Sequence, residues 1–172
     1  MLTILSSNIW LTGTYDNDVR ILRFAAQKHE ELVSRLQEEL GPDSGWSTVI
    51  QFHPLTKAMV SHGKGSNVLG LERRMQAGTG NIQVAMVGTN SSEHDAKAYP
   101  LMLEYQQSID DYATSLSANW GWRYLNYADR RTQDAITSLG NEAIAKLKAA
   151  SAKYDPDGVF QHLRKSGFKI PM

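Results

Sequence analysis

The order of hydrophobic patterns along the 172-residue chain is the feature that most constrains its fold. Apolar residues recur at helical spacing over residues 19–40 and again over residues 92–116. Four strand-like runs accompany these helices, at residues 2–11, 46–53, 81–89 and 122–127. The predicted order is therefore strand, helix, strand, strand, helix, strand.

This order predicts an α+β fold of the ferredoxin-like type (βαββαβ), with two helices on one face of a four-stranded antiparallel sheet. We expect this domain over residues 1–128 and a helical C-terminal appendage over residues 129–172. Within the appendage, residues 159–170 form an apolar tail. The tail and the second sheet face would both expose apolar surface, which soluble proteins usually avoid. We therefore expect a homodimer.

Composition excludes several classes of function. Lys plus Arg and Asp plus Glu both number 18, and a formal net charge of zero argues against a nucleic-acid partner. The absence of cysteine excludes disulfides, thiolate metal sites and a cysteine nucleophile. The five histidines lack metal-ligand spacing, so we expect no metal. No apolar run could span a membrane and no signal peptide is evident, which favours a cytoplasmic protein without a membrane partner.

Strand alternation gathers polar and aromatic side chains on the predicted open face of the sheet. Gln51 and His53 share one face of their strand, and Trp122, Tyr124 and Asn126 share one face of theirs. A phenol can act as an acid, a base or a hydrogen-bond donor, while amides orient a carbonyl group. By itself, this pattern is explained at least as well by an ordinary half-exposed sheet face.

The C-terminal third of the chain also carries a series of motifs in a characteristic order. They are Tyr124-Leu125-Asn126-Tyr127-Ala128-Asp129, Gln133-Asp134, Ser138-Leu139-Gly140, Lys153-Tyr154-Asp155-Pro156, Gly158-Val159-Phe160-Gln161 and Gly167-Phe168-Lys169-Ile170. Upstream lie Ile50-Gln51-Phe52-His53-Pro54 and Gly65-Ser66-Asn67-Val68-Leu69-Gly70-Leu71. Together these segments resemble the C-terminal half of berberine-bridge-enzyme-like FAD-linked oxidoreductases, of the vanillyl-alcohol-oxidase superfamily.

The resemblance implies roles for individual residues. In that family the Tyr-x-Asn element, here Tyr124 and Asn126, faces the flavin and the substrate, and its tyrosine often serves as the catalytic base. Tyr124 is therefore the candidate catalytic residue, and Gln51, His53, Trp122 and Asn126 are candidates for substrate binding. Because the matching segments correspond to the half that does not bind FAD, we expect no cofactor unless a separate FAD-binding chain is present.

The resulting functional hypothesis is a flavin-independent enzyme of natural-product biosynthesis. It would catalyse a redox-neutral cyclisation, pericyclic or isomerisation step on a hydrophobic small molecule, because such steps need shape and a few hydrogen-bond donors. One alternative is a non-catalytic protein that binds a hydrophobic ligand or serves as an accessory factor. Another is half of a split or truncated FAD-dependent oxidoreductase.

Tyr127 is expected to point away from Tyr124, toward the helices.

Overall fold

Three antiparallel strands organise the fold in the computed structural model, which describes residues 7–42, 44–63, 65, 67–75 and 78–171. The strands are β1 (Ser7–Asp16), β2 (Ser47–Leu55) and β3 (Gly80–Thr89). β3 is central, and the strand order is β1-β3-β2. The fold is therefore α+β, as predicted, with a smaller sheet than expected.

Two long helices and four short or peripheral ones complete the described part of the chain. The long helices are α1 (Val19–Leu40) and α4 (Ser92–Ser115). The others are α2 (Lys57–Ser61), α3 (Leu71–Arg74), α5 (Asn141–Tyr154) and α6 (Val159–His162). Two 3-10 turns lie at Leu125–Tyr127 and Thr137–Leu139.

Local signals explain where α1 begins and ends. The side chain of Asp18 accepts a hydrogen bond from the backbone N–H of Arg20 and caps the first turn. Gly41 ends the helix with a φ of +83°, a conformation that favours glycine. The buried stripe of the helix includes Leu32 and Leu36, which pack in the main core. The helical periodicity of residues 19–40 is confirmed.

The main core lies between the sheet and the two long helices, on what we call the helix side. β1 contributes Ile9, Leu11 and Tyr15 to this side, each at most 1% exposed. The central strand contributes Ala85 and Val87. Because side chains alternate along a strand, the immediate neighbours of each of these residues point to the opposite face of the sheet, which we call the far face.

The strand boundaries differ from prediction at both ends of β1. Residues 2–6 of the predicted first strand lie outside the described residues. At the other end the strand runs beyond residue 11, its predicted limit, through Gly13 to Asp16. A Cβ atom on Gly13 would lie 2.0 Å from the hydroxyl oxygen of Tyr15. This glycine therefore makes room for a neighbouring side chain within the strand and does not reverse the chain.

The fourth strand predicted at residues 122–127 does not form. Beside β1 there is one isolated antiparallel bridge among the described residues, between Tyr15 and Asn119. The backbone N–H of Trp120 donates to the carbonyl of Thr14 at 2.9 Å. The four-stranded βαββαβ prediction is wrong in its last strand, and a ferredoxin-like assignment is not confirmed.

The backbone just after this bridge explains why the strand stops. Gly121 adopts a φ of +61°, which turns the chain out of line with β1. Residues Leu125–Tyr127 then coil into a 3-10 helix. The aromatic residues of this segment are typical of a strand in composition. The segment is held in place by side-chain contacts, however, and not by a ladder of backbone hydrogen bonds to β1.

The C-terminal part of the chain joins the sheet through side chains and ends in an exposed tail. Phe160 and Leu163, on and just after α6, are 66% and 70% exposed. The division into residues 1–128 and 129–172 stays a prediction. No helix in the described part of the chain combines the length and apolar character needed to cross a membrane. The same residues contain no group of three His, Asp or Glu side chains suited to a metal ion.

Candidate functional site

The register of β2 on β3 determines which side chains share the far face of the sheet. His53 lies opposite Ile82, and Gln51 lies opposite Val84. Ile82 and Val84 belong to a second apolar cluster that also contains Trp122, separate from the helix-side core. The structure therefore places Gln51 and His53 on the far face, the face opposite the long helices.

Five rings lie side by side on this face, and we call them the far-face cluster: Trp10, His53, Trp122, Tyr124 and Tyr127. The ring centroids of Trp10 and Tyr127 are 5.1 Å apart, and those of Tyr124 and Tyr127 are 5.5 Å apart. Trp122 stacks on Tyr124 at 5.9 Å, and His53 stacks on Tyr127 at 6.3 Å. These separations lie within the range of favourable aromatic pairs, so the rings form one continuous wall.

The position of Tyr127 corrects one sequence-based expectation. Alternation along a strand would direct its ring to the helix side, away from Tyr124. The segment is a 3-10 helix, however, and its tighter turn brings the two rings into edge contact. Tyr127 therefore belongs to the same wall as Tyr124.

Hydrogen bonds orient the polar groups at the surface of this wall. The Nδ2 amide of Asn126 donates to the Tyr124 hydroxyl oxygen at 3.0 Å. The Tyr124 oxygen thus already accepts one hydrogen bond, and its own proton is available to donate. Nε2 of His53 lies 3.2 Å from Oε1 of Gln51, within hydrogen-bond distance. All four residues have atoms at the surface, where a ligand could reach them.

Trp122 carries a buried polar group that has no hydrogen-bond partner among the described residues. Its side chain is only 2% exposed. The indole Nε1 is buried and has no hydrogen-bond partner among the described residues. Buried N–H donors are nearly always paired in folded proteins, so this group needs a partner that the described part of the chain does not supply.

An ion pair holds the segment that carries Trp122 and Tyr124. Arg123, between them, crosses to α4 and binds the carboxylate of Asp110 at 2.5 and 3.1 Å. It also donates to the carbonyl of Thr12 at 2.7 Å. Burial lowers the pKa of Arg123, but the hydrogen bonds and the charge of Asp110 outweigh burial and raise it. The guanidinium group is therefore a permanently charged anchor.

Two further side chains complete this attachment. The guanidinium of Arg74 donates to the backbone carbonyls of Trp120 and Ser138, linking both ends of the segment. Gln133 binds the backbone of Thr12 in β1 through both atoms of its amide. Sequence reasoning missed Arg74, Arg123 and Gln133 as supports of the site. The one available signal was the Gln133-Asp134 motif, whose structural role no spacing rule predicts.

Comparisons with known proteins give the chain a set of relatives. The FAD-dependent monooxygenase drtC of Aspergillus calidoustus is 30% identical over 164 residues, covering 94% of this chain and 30% of that protein. The FAD-dependent monooxygenase sdcF of Emericella nidulans is 35% identical over 167 residues, covering 95% of this chain and 34% of that protein. The bifunctional solanapyrone synthase of Alternaria solani is 32% identical over 128 residues, covering 73% of this chain and 24% of that protein.

No family model matches the sequence, and no solved structure matches it significantly. The chain spans about a third of the length of the curated relatives named FAD-dependent monooxygenases. The names and coverages of these relatives are consistent with a match to part of an FAD-linked oxidoreductase. They do not name the berberine-bridge-like family, so that assignment stays a resemblance.

The comparisons contradict the expectation that the chain works without a cofactor. The relatives that match along nearly all of it are named for their dependence on FAD. The expectation followed from the resemblance to the half that does not bind FAD, whereas the relatives that match here are about three times as long as this chain. The relatives point to FAD.

Proposed function

We propose that this chain is the substrate-facing module of a FAD-dependent oxidoreductase of natural-product biosynthesis. The far-face cluster would form one wall of a pocket for the flavin ring and a hydrophobic substrate. The observation that carries this proposal is the continuous row of aromatic rings from Trp10 to Trp122, on the sheet face opposite the long helices. The names of the relatives support the choice of FAD and of an oxidative reaction.

The residues of the cluster fit a planar aromatic cofactor. Flat rings at this spacing offer stacking surfaces, which suit the isoalloxazine ring of FAD. The buried Nε1 donor of Trp122 lacks a partner among the described residues, and an isoalloxazine ring has carbonyl oxygens and ring nitrogens that accept such a bond. We assign Trp122 and Tyr127 to holding the ring. FAD, when bound, supplies the two-electron redox chemistry.

Tyr124 is the residue proposed to move a proton. Its hydroxyl oxygen accepts a hydrogen bond from Asn126, which orients the O–H group. A substrate hydroxyl that is being oxidised must lose its proton, and we assign the Tyr124 hydroxyl to relaying it. Gln51 and His53, linked at 3.2 Å, would orient a substrate carbonyl at the same face.

The cyclisation, pericyclic or isomerisation step expected from the sequence stays a proposal, now as a second step beside flavin chemistry. A cyclisation, pericyclic or isomerisation step on the same substrate needs only shape and hydrogen-bond donors, which this wall provides. One relative is named a bifunctional synthase, which supports a protein with a second activity. The proposed step would accompany a flavin-dependent reaction.

Riboflavin, which carries the isoalloxazine ring, is the probe that tests this proposal on the 172-residue chain. Riboflavin is titrated into the purified protein, and quenching of flavin fluorescence measures its dissociation constant. Trp122→Phe keeps a stacking ring but removes the Nε1 donor, so riboflavin should bind about tenfold more weakly. Trp46→Phe is the matched control, because its indole Nε1 already donates to the carbonyl of Gly41.

Two results would contradict the assignment. Wild-type protein that leaves riboflavin fluorescence unchanged has no flavin wall. Equal weakening in the Trp122→Phe and Trp46→Phe variants would mean that the ring binds elsewhere or that the loss is a general effect on folding. A thermal melt of each variant separates these two causes.

A further inference from the structure

The edge of the sheet at β1 is closed by the C-terminal part of the chain. Both backbone groups of Thr12 bind the side-chain amide of Gln133, and the carbonyl of Thr14 accepts a hydrogen bond from the N–H of Trp120. Thr12 and Thr14 therefore direct their backbone groups away from β3. This direction determines which residues of each strand bind which neighbouring strand.

The same alternation continues across the sheet to β2. In an antiparallel pair, facing residues alternate between pairs that exchange backbone hydrogen bonds and pairs that do not. Gly13, next to Thr12, therefore binds the residue that it faces on β3, which is Gln83. Val84, the next residue of β3, then binds in the other direction, to Gln51 on β2. The odd-numbered residues of β2 thus point their backbone groups inward, and the even-numbered residues point theirs outward.

Three residues present complete backbone groups at the outer edge of β2. Thr48, Ile50 and Phe52 each direct an N–H and a C=O outward, and these groups have no hydrogen-bond partner among the described residues. Pro54 follows in the same alternation, and a residue without an N–H fits an outward position on an edge strand. The place of Pro54 therefore supports the assignment independently.

The sequence of β2 does little to protect this edge. Proteins commonly protect a free strand edge with charged side chains, proline, bulges or a covering segment. Residues 47–53 contain no Asp, Glu, Lys or Arg, and Pro54 affects only the end of the strand. Ser47, Gln51 and His53 are exposed along the strand. An uncharged edge of this kind is a template for an added strand.

We propose that the outer edge of β2 binds an extended strand of a different polypeptide, which continues the sheet. The partner corresponds to the part of the relatives that this chain does not match, since those proteins are about three times as long as this chain. An added strand would lie beside Gln51 and His53 and would enlarge the face that carries the far-face cluster. The choice of partner rests on the proposed function, whereas the edge site itself does not.

The side chains of β2 define the chemistry of the strand that fits. Ile50 and Phe52 are half-buried against the main core on the helix side, so the added strand should carry apolar residues on that side. Gln51 and His53 are exposed on the far face, where polar residues of the added strand suit them. The partner strand therefore alternates apolar with uncharged polar residues and lacks proline at the positions that pair.

Amide hydrogen exchange followed by NMR tests this proposal on the full chain. The probe is a peptide with blocked termini and the sequence of β3, residues 80–89, because it is uncharged and already pairs with β2 at the inner edge. Binding should slow the exchange of the Thr48, Ile50 and Phe52 amides about tenfold or more, since each gains an acceptor. The Gln51 amide, which already binds β3, should keep its rate.

Two controls determine whether the effect depends on strand pairing at this edge. A peptide with Gln83→Pro and Val84→Pro lacks ladder donors and should leave all exchange rates unchanged. In the protein, Ile50→Pro removes the central outward N–H and should weaken binding of the original peptide about tenfold or more. The amide spectrum shows whether this variant has folded, and the comparison of the two peptides on the wild-type chain is decisive without it.

Several outcomes would overturn the proposal. Unchanged exchange at Thr48, Ile50 and Phe52 with the original peptide would mean that the edge binds no strand. Slowing at these amides that increases with protein concentration, without peptide, would show that a second copy of the chain occupies the edge. Riboflavin quenching on the same protein reports the flavin wall separately. Peptide protection without riboflavin binding would support the edge site and overturn the choice of partner.

Discussion

The side-chain amide of Gln133 pairs with both backbone groups of Thr12. Its Oε1 accepts from the Thr12 N–H at 3.1 Å, and its Nε2 donates to the Thr12 carbonyl at 2.8 Å. β1 is an edge strand, and the outward-facing backbone N–H and C=O groups of an edge strand normally bind another strand or water. One side chain thus supplies, at mid-strand, the hydrogen bonds that the predicted fourth strand would have made.

Removing this amide should destabilise the fold strongly. Gln133→Leu keeps the approximate volume but leaves the buried N–H of Thr12 without its Gln133 acceptor, while the Thr12 carbonyl keeps its bond from Arg123. We expect the free energy of unfolding to fall by about 1–3 kcal/mol, the cost of one unpaired buried polar group. Urea denaturation measures this change. Gln107→Leu is the control, because Gln107 is exposed and bonds to Asp111; its effect should stay within about 0.5 kcal/mol.

Tyr124→Phe should reduce turnover and spare the fold. The substitution removes one hydroxyl whose partner, Asn126, is exposed, so the thermal midpoint should change little. If the hydroxyl moves a proton in the reaction, the rate should fall about 10²-fold or more. Bleaching of the flavin band in protein supplemented with FAD and a hydrophobic alcohol substrate reports the rate.

Tyr99→Phe is the matched control for this prediction. The Tyr99 hydroxyl donates to Thr132 Oγ1 at 3.2 Å, and Tyr99 is not part of the far-face cluster. Its loss should leave the rate unchanged. A loss of only about tenfold in Tyr124→Phe would assign Tyr124 to orienting the substrate. Unchanged turnover would remove Tyr124 from the reaction, and binding without any turnover would favour a ligand-binding role for the chain.

His29 should make stability depend on pH in the mildly acidic range. Partial burial on α1 lowers its pKa below the ordinary value of 6.5, and its Nε2 lies 3.1 Å from Thr48 Oγ1. As the pH falls through the window between 6.5 and the lowered pKa, the unfolded chain binds a proton that folded His29 does not. The free energy of unfolding should therefore decrease as the pH falls through this window.

Paired variants isolate the histidine from the carboxylates that also titrate in acid. The difference in unfolding free energy between about pH 7.5 and about pH 5.5 should shrink in His29→Gln. His62→Gln, at an exposed position, should retain the wild-type difference. Identical pH profiles for His29→Gln and wild type would rule out this contribution.

The homodimer expected from the sequence remains a prediction, and the apolar tail is where we place its contact. Val159, Phe160 and Leu163 are 45%, 66% and 70% exposed, which is unusual for large apolar side chains this close together. Light scattering should give about twice the chain mass of 19.2 kDa, because a specific interface of about 1,200 Å² or more would cover them.

Two substitutions test the location of that contact. Phe160→Ser with Leu163→Ser should yield a monomer, whereas Leu125→Ser, at a residue 45% exposed outside the tail, should not. A wild-type mass of 19.2 kDa would contradict dimerisation. A dimer that survives the double substitution would place the interface elsewhere.

Elements governed by local periodicity could be predicted from the sequence. The helical spacing at residues 19–40 corresponds to α1, Val19–Leu40, and the apolar run at residues 81–89 lies within β3, Gly80–Thr89. Alternation also placed Gln51 and His53 on the far face. Each of these results depends on neighbours a few residues apart, and such neighbours are visible in a sequence.

The segment at residues 122–127 could not be predicted in this way. Its aromatic residues suit a strand, and its Tyr-x-Asn motif marks Tyr124 and Asn126, but neither feature reveals how the backbone runs. Strand formation needs a partner edge, and the amide of Gln133 already occupies that edge at Thr12. The local preference of these residues for a strand was overridden by the Thr12–Gln133 contact, which joins residues 121 positions apart.

The sequence by itself determined the long helices, the three strands that pair and the side of β2 on which Gln51 and His53 lie, because these follow from spacing between near neighbours. Only the tertiary structure decided that Tyr127 joins Tyr124 on the far face and that Arg123 crosses to Asp110. It also decided that the Gln106 oxygen is left without a partner among the described residues. These outcomes depend on which distant groups compete for the same hydrogen bonds and the same space, and that competition exists only once the chain has folded.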